Sequence, residues 1–366
     1  MLRGVSGARV IRRALAVLAC AVLAVACSRS STGSTSTSAG TSGTPAHPVS
    51  TPTSAPGPFP GYLMVADRGN NRIILLSGNK RILWQYPAPG TTPSFPFAYD
   101  DDTFFGNNYT EIASNQEDRQ TVQLISFPQG KVLWHYGHWN QIGTSSGFLH
   151  TPDDAYLLPN GNVQLADIAN CRVIQVSTKT NQIVSQWGQT AYCGHNPPHL
   201  LGAPNGDTPL ANGDTLVTEI QGSYVDLISP QGKLIWSVHA PVTYPSDAQM
   251  LANGEILMAS YTYPGRVIEM TKTGQVTWSY APTSGPGVLN HPSLAMMLPN
   301  GLIAVNDDSN DRVIVIDPST HKIVWQYGHT GQPGHTPGFL NDPDGMDFLP
   351  YQAAMANPAI KAVVQP

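Results

Sequence analysis

Short runs that alternate apolar and polar residues, separated by turns rich in Gly, Asn and Pro, fill the chain from about residue 60 onwards. The clearest unit is 292–328, which aligns without a gap with 152–188 and shares sixteen of thirty-seven positions with it. In the earlier copy the pattern predicts four strands, at 154–158, 162–167, 172–177 and 183–187. The first turn contains Asn160-Gly161, a pair that favours the left-handed dihedrals of a tight hairpin. Four short antiparallel strands on three turns are typical of one β-propeller blade.

Tryptophans mark the predicted fourth strand of the repeats and therefore count the blades. Five of them stand at equivalent positions: Trp84, Trp134, Trp236, Trp278 and Trp325. In the copy at 152–188 the equivalent residue is Ser185, and Trp187 lies two residues further on the same side of the strand. The six sites are 42 to 51 residues apart, which predicts six blades. We expect the indole rings to pack between blades; the alternative is that one of them docks a flat cofactor.

The first blade lacks its first strand, because residues 61–67 begin with the pattern of a second strand. The missing piece lies at the other end of the chain, where 338–350 matches 147–159 and then stops. The C-terminal strand should therefore complete the N-terminal blade and leave no open sheet edge. The predicted fold is all-β: a six-bladed β-propeller of four-stranded antiparallel blades over 59–350, followed by a tail at 351–366.

Three predicted second turns share a motif in which Asp, Asn and Arg recur at fixed spacing: 65–73, 165–173 and 305–313. This motif resembles the NHL repeat, and the Leu-Pro-Asn-Gly and Trp-x-Tyr elements are similar to arylsulfotransferase-like and quinone-type propeller repeats. The resemblance implies a six-bladed propeller and little about chemistry, since propellers host many functions. Each Asp is expected to pair with the Arg five residues later and to brace its turn: Asp67 with Arg72, Asp167 with Arg172, and Asp307 with Arg312.

The first 26 residues predict an export signal rather than part of the fold. Four arginines precede an apolar stretch, 14–26, that is too short to span a bilayer. It ends in a segment that resembles a bacterial lipobox, which implies a lipoprotein whose lipidated Cys27 carries palmitate and anchors it to the outer side of the cell membrane. The alternative is a simple secretory signal or a single-pass anchor. Residues 27–58, mostly Ser, Thr, Gly, Pro and Ala, predict a disordered tether with a reach of roughly 30 Å.

The charge of the chain argues against nucleic acid as a partner. The whole chain has a formal net charge of −5, and removal of the signal leaves 15 Lys and Arg residues against 24 Asp and Glu residues. The resulting net charge, about −9, repels phosphate backbones. We expect a monomer whose partners are the membrane, through its lipid anchor, and a protein, glycan or small-molecule ligand.

Propeller topology places the first and third turns of every blade on one face, here called the constant face. The second turns and the blade connections lie on the other, the variable face, where the loops differ in length and hold most of the histidines. Because function concentrates on variable loops carried by a rigid scaffold, we expect binding there. Acidic residues at the starts of the innermost strands should meet histidines around the mouth of the central channel. The candidate ligand-binding residues are Asp101, His150, Asp154, Asp247, His291 and Asp344.

Four of these candidates, His150, Asp154, Asp247 and His291, are predicted to hold a divalent cation, Ca²⁺ or Zn²⁺. The alternative is that aspartates beside Pro and Gly only cap turns. The sequence contains no nucleophile elbow, P-loop, dinucleotide fingerprint, CxxC or HExxH motif, so the favoured function is a binding scaffold. The alternatives are an extracytoplasmic enzyme at the channel mouth, similar to metal-dependent lyases, lactonases or arylsulfotransferases, and a quinone-binding dehydrogenase.

Cys171 and Cys193 are the two thiols that remain once the signal is removed and Cys27 is lipidated. One lies in a second turn and the other in the connection that leaves the same blade, so both belong to the variable face. In an exported domain this arrangement predicts a disulfide. The alternatives are a free thiol pair that ligates a metal with His195 and His199, or a loop that holds Cys193 too far away.

Overall fold

The alternating pattern of the sequence folds into six four-stranded antiparallel sheets in the computed structural model, which describes residues 55–365. The copy at 152–188 forms its strands at 152–157, 162–167, 172–177 and 183–187. The three later strands have the predicted bounds, and the first begins two residues earlier than predicted. The prediction of a six-bladed propeller is confirmed.

The blades are numbered 1 to 6 along the chain. Blade 1 contains β1 (Gly61–Asp67), β2 (Arg72–Ser77), β3 (Ile82–Tyr86) and the C-terminal β24 (Pro343–Pro350); blade 2 contains β4 (Thr103–Phe105), β5 (Glu111–Gln116), β6 (Thr121–Ser126) and β7 (Val132–Gly137). Blade 3 contains β8 (Pro152–Leu157), β9 (Asn162–Asp167), β10 (Arg172–Ser177) and β11 (Ile183–Trp187); blade 4 contains β12 (Pro204–Pro209), β13 (Thr215–Glu219), β14 (Tyr224–Ile228) and β15 (Leu234–His239). Blade 5 contains β16 (Pro245–Met250), β17 (Ile256–Ser260), β18 (Arg266–Met270) and β19 (Val276–Tyr280); blade 6 contains β20 (Ala295–Met297), β21 (Ile303–Asp307), β22 (Arg312–Asp317) and β23 (Lys322–Gly328).

Successive residues of a strand point to opposite faces of its sheet, and neighbouring blades cover both faces. In β2, Ile74 and Leu76 pack in the core shared with blade 6, whereas Ile73 and Leu75 pack in the core shared with blade 2. The innermost strands contact one another around the central channel in the order β24, β4, β8, β12, β16 and β20. Each blade therefore depends on its two neighbours for the burial of its sheet.

Buried Asp–Arg pairs brace the second turns of three blades, as predicted. In every pair a carboxylate oxygen lies 2.6 to 2.8 Å from a guanidinium nitrogen: Asp67 with Arg72, Asp167 with Arg172, and Asp307 with Arg312. Each carboxylate also accepts hydrogen bonds from the asparagine three residues later and from a backbone amide of the preceding blade connection. The arginine donates to carbonyl oxygens of that same connection. One ion pair thus ties each turn to the loop that enters its blade.

Indole groups of the fourth strands reach the third turn of the following blade. The Nε1 of Trp84 donates to the carbonyl oxygen of Pro128 at 2.8 Å, and the Nε1 of Trp278 donates to that of Pro318 at 2.9 Å. Trp134 donates in the same way to a third-turn side chain of blade 3. The predicted role of these rings, packing between blades, is confirmed.

The C-terminal strand closes the propeller, as predicted. β24 pairs with β1 in antiparallel register, with Gly61 opposite Pro350 and Leu63 opposite Phe348. Blade 6 then meets blade 1 through Trp325, whose Nε1 donates to a carbonyl oxygen in the third turn of blade 1 at 2.8 Å. The two ends of the described chain therefore share one sheet.

Residues 55–60 run across the constant face before β1 begins. The ring of Phe59 packs edge-on against the indole of Trp325, with 5.3 Å between centroids. The carbonyl oxygen of Pro58 accepts a hydrogen bond at 2.7 Å from Asn300, which lies in the first turn of blade 6. The chain therefore enters the propeller from the constant face.

Two short helices follow β24 where the sequence predicted only a tail: α1 (Tyr351–Ala356) and α2 (Pro358–Val364). The side chain of Asn357 caps α2 by accepting hydrogen bonds from two backbone amides of its first turn. Tyr351 and Ile360 pack into the core between blades 1 and 2. Within residues 55–365, no helix has the length and apolar character needed to cross a membrane.

Cys171 and Cys193 form a disulfide with their Cα atoms 5.1 Å apart, as predicted. The bond joins the second turn of blade 3 to the connection that leads to blade 4. It thereby ties the loop at 189–203 to the rigid scaffold. Cys27, the predicted signal and most of the predicted tether lie outside the described residues.

Deleting residues 341–366 should abolish cooperative unfolding, because it removes β24 and exposes the hydrogen-bonding edge of β1. The deleted strand buries Met346, Phe348 and Leu349. Burial of a side chain of this size stabilises by about 1.5–3 kcal/mol, so the three together contribute roughly 5–9 kcal/mol, comparable to the whole free energy of unfolding of a domain. Calorimetry measures the effect.

The matched control for this deletion is removal of residues 351–366 alone, which keeps β24 and removes both helices. It should lower the Tm and retain one cooperative transition. If the longer deletion melts within a few degrees of the full chain, closure by β24 does not hold the propeller together.

Candidate functional site

Four innermost strands begin alike, with a proline followed by small polar or acidic residues: β8, β12, β16 and β24. Proline is tolerated at the first residue of a strand, where its missing amide is not needed for the ladder. In each of these strands the register with the neighbouring strand then shifts, and such a bulge re-aims side chains. In β8 the bulge gives Asp154 a φ of 39°, and both Asp153 and Asp154 reach acidic residues of other blades.

Five aspartates from three blades form a group that we call the channel cluster: Asp101, Asp102, Asp153, Asp154 and Asp247. Carboxylate oxygens of Asp101, Asp102 and Asp153 lie within 4.8 Å of one another, and so do those of Asp102, Asp154 and Asp247. Asp102 belongs to both sets and joins them. All five residues are buried, with at most 6% of their surface exposed.

Arg68, in the second turn of blade 1, compensates one edge of this negative charge. Its Nη1 lies 3.0 Å from Asp101 and 3.1 Å from Asp344. Its Nη2 lies 2.7 Å from Glu117 and 3.2 Å from Asp118. Four carboxylates thus surround a single guanidinium group, and most of the charge of the channel cluster is left without a cation.

Four members of the channel cluster are uncompensated, since none of the ion pairs formed within residues 55–365 reaches Asp102, Asp153, Asp154 or Asp247. Asp102, Asp154 and Asp247 each have one oxygen, Oδ1, that accepts no hydrogen bond in the described chain. The other oxygen of Asp154 accepts hydrogen bonds from the Tyr156 hydroxyl and the Asp207 amide, both at 3.2 Å. Three buried oxygens without donors therefore belong to one tight group of carboxylates.

Burial raises the pKa of Asp102 and Asp247 well above the usual range of a carboxyl group, and neighbouring carboxylates raise it further. Burial also raises the pKa of Asp154 to about 7, against the hydrogen bonds that lower it. Carboxylates this close and this buried cannot all ionise unless a positive charge compensates them. At neutral pH the cluster therefore holds either protons shared between its carboxyl groups or a cation.

A cavity of about 200 Å³ continues the channel from Asp247 towards the constant face. Its wall is mostly apolar, and the rings of Phe104 and Tyr156 stack there with 4.3 Å between centroids. Asp347 also lines the cavity, but two backbone amides donate hydrogen bonds to its carboxylate. The uncompensated carboxylate of Asp247 therefore lies at the end of the cavity that borders the channel cluster.

His150 and His291 do not belong to the channel cluster. The amide of His150 donates to the bracing carboxylate of Asp167 at 2.7 Å, and the Nδ1 of His291 faces the side chain of Asn290 at 2.8 Å. Within residues 55–365, neither histidine belongs to a close group of metal-ligating side chains. Their roles as base or ligand stay predictions.

The predicted aspartates do come together. Asp154 and Asp247 share one set of close oxygens, Asp101 belongs to the adjoining set, and Arg68 links Asp101 to Asp344. Four of the six candidate residues therefore lie close to one another or to Arg68, and their role in binding a ligand or a cation stays a prediction.

Asp102 and Asp153 belong to the acidic strand starts that the sequence places near the channel, whereas Arg68 was not predicted as part of the site. Arg68 begins the 3-10 turn that follows a bracing aspartate, and other blades have Glu117, Ile168 or Asp308 at that position. The sequence did contain a signal, because this position differs among the four blades that have the 3-10 turn, while three of them repeat the Asp, Asn and Arg around it. Variation directly after a repeated Asp–Arg pair indicates that the varied side chain has a role specific to its own blade.

A wider groove of about 690 Å³ lies on the variable face between blades 4 and 5. It is lined by second-turn residues and by the connection at 240–244: Ser223, His239, Val242, Thr262, Tyr263 and Arg266. Tyr263 is 68% exposed and stands at its edge. The variable face therefore presents both the channel mouth and an open groove.

Comparison with solved structures agrees with the fold. The chain is similar to a protein of unknown function from Bacteroides caccae, with a TM-score of 0.51 and 23% identity over 73% of this chain and 93% of that one. It is similar to a chain of a nidogen/laminin complex, with a TM-score of 0.53 and 12% identity over 78% and 97% of the two chains. It is also similar to a streptogramin B lyase, with a TM-score of 0.50 and 15% identity over 81% and 94%. At these identities the likeness shows the fold alone.

Sequence comparison identifies the family. No curated protein matches the chain. A family model does match: its description is outer membrane protein assembly factor BamB, and it spans residues 118–346, from the second turn of blade 2 into β24. Because the match covers more than half of the sequence, the chain belongs to the family of outer membrane protein assembly factor BamB.

Proposed function

We propose that the protein is an exported binding scaffold that holds a divalent cation in the channel cluster and receives its ligand on the variable face. One observation carries the cation: the Oδ1 atoms of Asp102, Asp154 and Asp247 are buried in one close group of carboxylates and accept no hydrogen bond within the described chain. A divalent cation compensates their charge and takes the place of the missing donors.

The donor set favours Ca²⁺ over Zn²⁺. Asp102, Asp154 and Asp247 offer carboxylate oxygens, and Ca²⁺ takes its ligands from carboxylates, carbonyls and water. Zn²⁺ prefers sites with histidine nitrogen or cysteine sulfur, and the close sets in this cluster consist of aspartates. Water and the walls of the channel complete the coordination.

The variable face supplies the binding surface for a protein, glycan or small-molecule ligand. Its groove between blades 4 and 5 is open to solvent and combines an exposed tyrosine with polar side chains. Membership of a family named for an assembly factor supports a role in binding rather than in catalysis. The likeness to a streptogramin B lyase is one of fold and carries no activity to this chain.

The anchor completes the proposal. The lipobox-like segment before Cys27 supports a lipid on that cysteine, which would anchor the protein to the outer side of the cell membrane. A tether of about 30 residues then links the lipid to the propeller.

Ca²⁺ should raise the Tm of the metal-free protein, because a ligand that binds only the folded state stabilises it by about 2.7 kcal/mol at a hundred times its Kd. Asp154→Asn and Asp247→Asn should each abolish this rise, since each removes one of the facing carboxylates. Thermal melts with Ca²⁺ or EDTA, together with metal analysis by mass spectrometry, measure both effects. Asp347→Asn is the matched control, because it changes a channel carboxylate that already has two amide donors. The cation site is wrong if the native protein contains no metal and neither Ca²⁺ nor Mg²⁺ changes its Tm.

In EDTA the free energy of unfolding should fall as the pH rises from about 5 to 8. Burial raises the pKa of Asp154 to about 7 and that of Asp100 to about 8. In the unfolded chain a carboxyl group titrates near pH 4. Between these values only the folded state keeps the proton, so each rise in pH favours unfolding. Urea denaturation at several pH values tests this; saturating Ca²⁺ should reverse the trend at pH 8, and a stability that increases with pH in EDTA would contradict it.

Cys27→Ala should release the protein from the membrane fraction, because the anchor depends on the thiol of that residue. Fractionation followed by immunoblotting measures the distribution. Cys20, the other cysteine of the first 27 residues, provides the control, and Cys20→Ala should leave the protein membrane-bound. If Cys27→Ala stays bound and Cys20→Ala is released, the lipid lies on the other cysteine; if both stay bound, the lipid anchor is wrong.

A further inference from the structure

A second group of metal-ligating side chains lies in blade 4, away from the channel cluster: His195, Glu219 and Asp226. One ligand atom from each lies within 4.8 Å of the others. The Nδ1 of His195 is 3.0 Å from Oε2 of Glu219. The three residues come from the loop at 189–203, the end of β13 and the middle of β14, so folding alone brings them together.

Glu219 stands where other blades have the bracing aspartate. It pairs across the strands with Tyr224, in the register in which Asp67 pairs with Arg72. Blade 4 has therefore kept a buried carboxylate at this position and lost the arginine that compensates it elsewhere. Asp226 follows Tyr224 by two residues on the same strand and adds a second buried carboxylate.

The two carboxylates are fully buried and poorly satisfied. Glu219 and Asp226 both have 0% of their surface exposed. Within residues 55–365, Oε1 of Glu219 and both carboxylate oxygens of Asp226 accept no hydrogen bond. The Ser237 hydroxyl lies close enough to lower the pKa of Asp226, but it does not reach hydrogen-bond geometry. Burial dominates and raises the pKa of Glu219 to about 7 and that of Asp226 to about 8.

His195 is held in place from two sides. Its ring stacks on Tyr224 with 3.5 Å between centroids and 7° between planes. Two residues before it, Cys193 bonds to Cys171 and ties the loop to blade 3. The imidazole is 25% exposed, so the group opens to solvent on the histidine side and is closed on the carboxylate side.

From this geometry we infer that His195, Glu219 and Asp226 form a binding site for a transition metal ion, with Zn²⁺ as the best match. One imidazole nitrogen and two carboxylate oxygens are a mixed donor set that suits Zn²⁺, and three protein ligands leave a coordination position open towards solvent. The Ser237 hydroxyl lies 3.3 Å from Nε2 of His195 and orients the ring from behind, as outer partners of metal-bound histidines do. The metal supplies the positive charge that arginine supplies in blades 1, 3 and 6.

The same contacts also suit a catalytic triad, in which Ser237 is the nucleophile, His195 is the base and the carboxylate of Glu219 orients the imidazole. Two features favour the metal. The buried carboxylate of Asp226 has no role in a triad, whereas in the metal site it is a ligand. Ser237 also lies in the middle of β15 and not on the sharp turn that exposes a nucleophilic serine.

The experiment uses the full chain carrying Asp154→Asn and Asp247→Asn, so that the channel cluster does not contribute. After treatment with EDTA and dialysis, Zn²⁺ binding is followed by calorimetry, and Co²⁺ is used as a spectroscopic probe. We expect one Zn²⁺ per chain and a Co²⁺ absorption spectrum that Zn²⁺ displaces. His195→Ala and Asp226→Asn should each weaken binding by about a hundredfold or more, since loss of even an outer partner weakens metal affinity by about 10–100-fold.

His199→Ala is the matched control, because His199 lies in the same loop, is exposed and belongs to none of the close groups. It should bind Zn²⁺ like its parent. Each variant must show the cooperative melt of the parent chain, and Asp226→Asn removes charge without removing volume. Equal Zn²⁺ affinity in His195→Ala and its parent would overturn the site. Labelling of Ser237 by a fluorophosphonate, lost in His195→Ala, in a chain that binds no Zn²⁺ would overturn it in favour of the triad.

Discussion

The pairing of β24 with β1 is the interaction on which the rest of the molecule depends. A blade buries its two sheet faces only against its neighbours, so an open ring leaves two faces and one strand edge in water. The same strand carries Asp344 to the channel mouth, where Arg68 holds it beside Asp101. Closure and the site are thus made by one piece of backbone, and the charge balance at the channel mouth exists only in the closed propeller.

The second turn of the blade shows how a repeat acquires chemistry. In blades 1, 3 and 6 a buried aspartate pairs with an arginine, and the two charges compensate each other within the turn. In blade 4 the arginine position holds Tyr224 and the acid is Glu219, so burial of the carboxylate is no longer compensated within the repeat. A charge that the blade cannot neutralise by itself has to be neutralised by a proton or by an ion from solution. Loss of the arginine from a structural pair therefore leaves a buried carboxylate that needs a proton or an ion, without any change of fold.

Sequence reasoning reached the fold because the fold is local and periodic. Alternation and Asn-Gly turns report contacts between residues that are close in sequence, and the spacing of Trp84, Trp134 and their equivalents reports the period of the repeat. It reached the acidic channel mouth for the same reason, since every innermost strand starts there. It did not reach the partners of each carboxylate, because distances across the channel depend on bulges such as the one at Asp154. His150 illustrates the limit: its position on the variable face was predictable, but its distance from Asp154 was not.

The path of residues 55–60 shows on which face the described chain enters the propeller. These residues lie on the constant face, where Phe59 packs on Trp325 and Pro58 accepts a hydrogen bond from Asn300. The described chain therefore reaches β1 from the side of the first and third turns, which are short and uniform, and not from the side of the channel mouth. Because β24 ends at Pro350, opposite Gly61, it also ends on the constant face, so the described chain enters and leaves the blades on one side, opposite the second turns and the blade connections.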